Sequence, residues 1–514
     1  MKADLILAGG RVRTLGRRGL RSASHLAVAG GRVLAVGGRE VLELRGPATR
    51  LVELAGGAVL PGFNDPHAHV VYHALSSFGA DLSGSRDVAE LQRRLRRAST
   101  RLGPGEWLLG RGYSELELAE GRSPTRAELD AATGGRPCFI DHRGGHSRVA
   151  NSAALAGARL EPGSTDPPGG ALGRNPDGSL DGRLLESAMR LVADHQPTPP
   201  FERRRSGVRA TLRLLSSRGI TSVGAAVNRG FADDHRAFAS LAEDGRLAVR
   251  VNEFLSWELL PALRRLGFAT GGAGRLVRFG PVKVFVDGGA GRGTIALRGA
   301  GGPWRTTPAE LAELVGEAHR GGLQVAAHCV GDGAIEAMVE AVEAAQAARP
   351  GALRHRVEHC THCPPDLQAR LAQAGMAAVM QPLFAGFGRG RLAAEIGPGA
   401  GVQIAAHRDL LRAGVRVAFS SDLPVVADPN PWAGLAAAVS DPLQPLTPLE
   451  ALRAYTVNGA WTSFEEHIKG SLEEGRLADF QVYDGDPLEL APDEWPALRP
   501  RLVALAGRPV TGSF

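Results

Sequence analysis

Cysteine is scarce: the chain of 514 residues has only four, Cys138, Cys329, Cys360 and Cys363. Thiols so few and so unevenly placed cannot staple a protein of this size, which excludes a disulfide scaffold and points to a reducing, cytoplasmic setting. Aromatic side chains are sparse as well, at 5%. No apolar run approaches the roughly 20 residues of a membrane-spanning helix, and Leu5–Ala8 is far shorter than a secretory signal core. Neither export nor a membrane partner is expected. Charge of one sign does not dominate: 60 basic and 54 acidic residues leave a net +6. The densest basic run, Arg93, Arg94, Arg96, Arg97 and Arg101, is interleaved with Leu91, Leu95 and Leu102 at helical spacing. It reads as the solvated face of an amphipathic helix, so no nucleic-acid partner is expected.

What is present is a loop-rich globular composition, 43% apolar with 68 Gly and 33 Pro, in a chain too long for one ordinary domain. Residues 1–59 alternate short β-like runs with glycine turns. Two further strand-like runs, Phe480–Tyr483 and Arg501–Ala506, lie in residues 465–514, so the two ends can pair into one β-sandwich. Between them, apolar runs alternate with helix-period segments. The candidate strands are Leu60–Asn64, Ile220–Ala225, Val249–Leu255, Val282–Val286, Leu323–Ala327, Arg356–Glu358, Ala377–Met380 and Val415–Phe419. Eight such βα units predict an α/β fold, either an open doubly wound sheet or a closed (β/α)8 barrel over residues 60–75 and 201–464. The rhythm fails across residues 76–200, which read as a capping insertion after the first strand.

Chemistry-bearing residues recur at the ends of these runs. Leu60-Pro61-Gly62-Phe63-Asn64-Asp65-Pro66-His67-Ala68-His69 ends in two histidines at i and i+2, which share one face of an extended strand and can bind one ion. His328 follows Val325-Ala326-Ala327, His359 follows Arg356-Val357-Glu358, and Asp422 follows Ala418-Phe419-Ser420-Ser421. Lys283 sits inside an apolar strand. Singly, each has a structural explanation as a core histidine, a helix cap or a buried lysine paired with Asp287. Jointly they favour the barrel, because strand ends converge on one rim and bring the four histidines and the aspartate within reach of a metal. Cys360-Thr361-His362-Cys363 lacks the second half of a structural zinc site. The glycine-rich stretch Gly288–Gly293 lacks the acidic partner of a dinucleotide fingerprint.

These motifs resemble the amidohydrolase superfamily, in its amidohydrolase-3 branch of YtcJ-like proteins and N-substituted formamide deformylases. The resemblance spans nearly the whole chain, through Pro61–His69, Lys283–Gly288, His328–Ala334, Ser421–Val425 and Gly470–Asp479. It implies a distorted TIM barrel with a β-sandwich from both termini, one or two divalent metals, commonly Zn2+ with Mn2+ or Fe2+ as alternatives, and compatibility with a homodimer. His67 and His69 would hold the more buried metal, His328 and His359 the second, with Lys283 as a carboxylated bridge. Asp422 would be both ligand and general base. His146, in Asp141–Ser147 of the insertion, is the resemblance's substrate-contact candidate.

Two departures affect the pocket. Arg148-Val149-Ala150 stands where relatives carry Trp. After Gln381-Pro382 comes Leu383-Phe384-Ala385 where relatives often show His, which implies a more apolar wall. Gln381 at that rim and Arg292, which can take an acidic group, complete the substrate-side candidates. The expected reaction is hydrolysis of a non-peptide C–N bond, an amide or formamide of a small molecule, by metal-activated water. Deamination or opening of a cyclic amide is the alternative among enzymes, and an inactive small-molecule-binding homologue the alternative from another class.

Overall fold

The eight apolar runs become the strands of a single all-parallel sheet in chain order: β1 (Phe63–Ala68), β2 (Ile220–Ala225), β3 (Arg250–Ser256), β4 (Val277–Phe285), β5 (Val325–Cys329), β6 (Arg356–His359), β7 (Ala377–Met380) and β8 (Arg416–Phe419). This computed structural model describes residues 1–16, 19–226, 231–272, 274–289, 293–299, 303–397 and 400–514, without the side chains of residues 231, 387, 391 and 402. The sheet curls until its edges meet. Beyond the end of β8, Asp422 N–H donates to the His67 carbonyl at 2.9 Å, and His69 N–H donates to the Leu423 carbonyl at 2.7 Å. The architecture is therefore the barrel rather than the open sheet.

Helices follow from local chemistry. Pro308–Arg320, between β4 and β5, starts with a capping box in which Thr307 and Glu310 exchange side-chain and backbone bonds, with Pro308 in its first turn. It buries Leu311, Leu314 and Val315 against the barrel. The arginine-rich run folds as helix Val88–Ser99, with Leu91 and Leu95 buried and Arg93, Arg96 and Arg97 facing water. Among the described residues, no helix is long and apolar enough to cross a membrane.

One expected strand is split. Ala58–Pro61 pairs with Phe480–Tyr483 in a six-stranded sheet shared by both ends of the chain, and the barrel strand begins only at Phe63. The hinge is Gly62: a Cβ there would lie 2.1 Å from Thr221 Oγ1, so only glycine lets the backbone pass this close while changing sheets. A second, four-stranded sheet, built from Leu5–Ala8, His25–Ala29, Arg32–Gly37 and Arg50–Glu53, stands beside it. The two-ended sheet is tied to the barrel by the buried pair Arg250 and Asp479, at 2.6 and 2.9 Å. Residues 76–200, expected as a capping insertion, carry a six-stranded mixed sheet with short helices.

Candidate metal centre

Three side chains from opposite ends of the barrel sequence converge at its rim. His67 and His69, two residues apart at the end of β1, turn to the same side, and the closing bonds to the segment after β8 bring in Asp422. His67 Nε2 lies 3.5 Å and His69 Nε2 3.4 Å from Asp422 Oδ1, and one ligand atom from each residue lies within 4.8 Å of the others. Two ligands about 2.1 Å from a tetrahedral ion are separated by roughly 3.4 Å, so these spacings fit one divalent cation between them. Among the described residues, buried His67 Nε2 and Asp422 Oδ1 have no hydrogen-bond partner, which is the state expected of atoms reserved for a metal.

Electrostatics fits the same reading. Burial, with the neighbouring Lys283 charge adding to it, holds His67 well below the usual histidine range, so the ring is the neutral form that ligates metals. Burial pushes Asp422 well above the usual carboxyl range, with Lys283 opposing, and a cation bound beside it reverses that cost. Asp422 adopts φ +53°, as His359 adopts φ +71° and Cys360 φ +45°. Left-handed backbone at non-glycine residues is uncommon and costs energy, and it gathers at functional sites.

Behind the histidines lies a charged chain. His67 Nδ1–H donates to Glu358, which is wholly buried on β6. Arg356, two residues earlier on the same face, donates to Glu358 at 2.7 and 2.9 Å and to the Pro66 carbonyl at 2.9 Å. The carboxylate thereby fixes the His67 tautomer with Nε2 toward the metal position, and the guanidinium balances its charge. Asp65 does similar work for the β8 side: its carboxylate accepts from Ser421 N–H at 3.1 Å and Ser421 Oγ–H at 2.5 Å, bracing the residue next to Asp422.

The remaining expected ligands form a second layer. The rings of His328 and His359 lie 4.5 Å apart, centre to centre, and His67 and His359 5.2 Å apart, but neither His328 nor His359 joins the tight three-atom set. Alternation along β6 would send His359 outward from the side of Arg356 and Glu358; its positive φ turns the ring back to the rim. His359 Nδ1–H donates to Gln381 Oε1 at 2.8 Å, and Gln381 Nε2 to Ser420 Oγ at 2.8 Å. Gln381, expected on the substrate side, is thus engaged in orienting His359, leaving Nε2 of that ring for a ligand. His328 Nε2 contacts the Gly288 carbonyl at 3.2 Å, which leaves Nδ1. Lys283 lies inside β4, its buried Nζ without a hydrogen-bond partner among the described residues, and burial pulls its pKa below the ordinary lysine value. It is not paired with Asp287, whose carboxylate accepts the backbone N–H groups of Ala296, Val330 and Gly331 at 2.8–3.1 Å.

The insertion reaches this rim through His146, whose ring centre is 5.1 Å from that of His328. Arg148, where the family's Trp was missing, is buried and paired with Asp141 at 2.6 and 3.1 Å; it braces the insertion instead of facing the pocket. Phe384 stacks parallel to His359, with 11° between the ring planes, consistent with the apolar wall. Arg292 lies outside the described residues. All four cysteines are buried free thiols, with Cys360 and Cys363 inside the main core. Sequence reasoning missed Arg356, Glu358 and Asp65. Two opposite charges at i and i+2 in a four-residue buried strand, where Val357 is the one apolar residue, were the available signal for the first pair.

The Amidohydrolase family model matches residues 50–511. The chain is similar to the N-substituted formamide deformylase of Arthrobacter pascens, with 28% identity covering 96% of this chain and 95% of the relative. It is also similar to the putative amidohydrolase YtcJ of Bacillus subtilis (strain 168), with 26% identity covering 90% of each. Among solved structures, an uncharacterized metal-dependent hydrolase from Pyrococcus furiosus matches with a TM-score of 0.75 and 27% identity, over 94% of this chain and 99% of that one.

Proposed function

Since this chain belongs to the Amidohydrolase family, as an enzyme of non-peptide C–N bonds, we propose that it hydrolyses an amide or formamide of a small molecule with a divalent metal, zinc for preference, at His67, His69 and Asp422. The observation that carries this reading is the 3.4–3.5 Å spacing of both imidazole Nε2 atoms from Asp422 Oδ1. A divalent ion in such a set lowers the pKa of water from about 15.7 toward ~7 and polarises a carbonyl.

The protein's own groups do the rest. Glu358 keeps His67 in the correct tautomer, and Asp65 with Ser421 holds Asp422 against it. Asp422 takes the proton that water releases as its oxygen adds to the carbonyl carbon, and delivers it to the departing nitrogen. The C–N bond then breaks to a carboxylic acid, or formic acid, and an amine. His328, His359 and a carboxylated Lys283 would hold a second ion: their donor types suit one, and carbon dioxide added to Nζ would replace an unfavourable buried ammonium by an anionic ligand. Phe384 stacks on His359, and the Phe285 ring centre lies 5.4 Å from that of His328, so both would offer an apolar surface beside the second layer.

The formamide assignment is favoured by the similarity to a protein named for that activity. Elemental analysis of purified protein, followed by a screen of N-substituted formamides, N-acyl amines and cyclic amides, tests it. Stoichiometric metal with turnover of formamides or acyl amines is expected. Turnover of cyclic amides alone would move the assignment to ring opening, and a chain inactive after zinc and manganese loading would sink the enzyme reading.

A further inference from the structure

His146 does not stand alone at the rim. Its Nδ1 lies 2.9 and 3.2 Å from the two carboxylate oxygens of Glu186, 40 residues later on the adjacent strand Leu180–Glu186 of the insertion. Glu186 is itself gripped from the barrel side. Thr294 Oγ1 donates to it at 3.0 Å, Arg305 Nη1 at 3.2 Å and Gly289 N–H at 3.3 Å, all from the segment that follows β4. The backbone there is shaped to admit the pair. A Cβ on Gly289 would lie 2.6 Å from His146 Cδ2, and one on Gly288 would lie 2.5 Å from Glu186 Oε1. Glu186 holds φ +50°, a left-handed conformation kept by a non-glycine residue where these contacts meet.

A carboxylate carries only acceptors, so the ring nitrogen facing it is the one that bears hydrogen. In the neutral imidazole the other nitrogen, Nε2, then presents a lone pair, on the opposite edge of a ring packed against His328 at the mouth. Resting on the reading of the site as an amide hydrolase, we infer that Glu186 is a positioning residue that fixes the His146 tautomer, and that His146 Nε2 accepts the N–H of the scissile amide. The substrate class narrows accordingly, to amides and formamides that keep at least one hydrogen on nitrogen. A fully N,N-disubstituted amide offers no hydrogen there and leaves Nε2 unpaired.

The test compares an N-substituted formamide with its N-methylated counterpart on wild type, H146A, E186Q and E186A, each verified for metal content and melting temperature. Wild type should favour the N–H compound, and the ratio of the two kcat/KM values should fall by roughly 10- to 100-fold in H146A. E186Q, whose amide can face the ring with either end, should lose part of this selectivity, and E186A more. Ring 15N resonances of His146 provide a readout independent of turnover. Hydrogen on Nδ1 and none on Nε2 is expected in wild type, and a mixture of tautomers in E186Q. An Nε2-protonated ring in wild type, or selectivity unchanged in H146A, overturns the inference. If no amide is turned over while the ring carries its hydrogen on Nδ1, it is the hydrolase reading that has failed, and the tautomer assignment stands.

Discussion

Replacing Glu358 by glutamine removes one charge and almost no volume, so its consequences can be worked out from the bonds it breaks. The carboxylate accepts from His67 Nδ1 and twice from Arg356. A glutamine amide has one acceptor and one donor end. If its oxygen stays on His67, its NH2 meets the guanidinium; if it turns to Arg356, the NH2 meets His67 Nδ1–H, and the ring loses the bond that aims Nε2. Loss of such an outer partner weakens metal binding about 10- to 100-fold, or roughly 1.4–2.7 kcal/mol. Separately, Arg356 is left as a buried charge without its counter-ion, which costs about 3–5 kcal/mol of stability. The two effects separate in the double variant R356M/E358Q, which removes the stranded charge. It should recover much of the lost stability while its zinc affinity stays low. Competition of apo-protein against a chromophoric zinc chelator, with urea unfolding in parallel, measures both. Zinc affinity of E358Q within twofold of wild type would refute the claim that Glu358 aims His67.

Asp422→Asn keeps the shape of the site but removes its proton acceptor; turnover should fall by about 10²–10⁴-fold even in samples loaded with zinc, as measured by kcat against metal content. Gly289→Ala drives a methyl group into the His146 ring, and should lower kcat/KM while metal content stays at the wild-type level. A buried pair far from the rim sets acid stability: Val325 N–H donates to His355 Nδ1 at 3.0 Å, His355 Nε2–H to His319 Nδ1 at 2.9 Å, and His319 Nε2–H to the Arg349 carbonyl at 2.8 Å. Burial, and next the proximity of His319, lowers the His355 pKa to about 3. The unfolded chain therefore takes up this proton first, so the pair's contribution is complete above pH ~6.5 and fades toward pH ~3 at about 1.4 kcal/mol per unit. Urea midpoints between pH 7 and 4 should fall less steeply for H355Q than for wild type; parallel slopes would reject the assignment.

Much of this could be read in the chain itself, for identifiable reasons. His67, His69, His328, His359 and Asp422 each stand at the end of a candidate strand and carry a metal-accepting side chain, and parallel strands in a barrel bring those ends to one rim. The boundary of β1 was misread because hydrophobicity is continuous through Leu60, Pro61 and Phe63. A chain that leaves one sheet for another at Gly62 changes neighbours without changing composition. The sheet within residues 76–200 was hidden because its strands are broken by Gly110, Gly112, Gly173 and Gly182 and carry arginines, which mask period-two patterning. Glu186 was illegible for another reason: it acts on His146 across a strand pairing, and no local pattern records which residues a register brings face to face.

The bonds that join the end of β1 to the segment after β8 have a consequence for biosynthesis. His67 and His69 emerge early from the ribosome, yet their third partner at residue 422 follows more than 350 residues later, so no fragment that ends before it would hold the proposed cation site. A chain stalled or clipped before that point has two histidines on a strand with no neighbour to close against. With the proposed ligand set, tight metal capture would mark the closure of the barrel, because all three side chains come together only when the segment after β8 meets the end of β1.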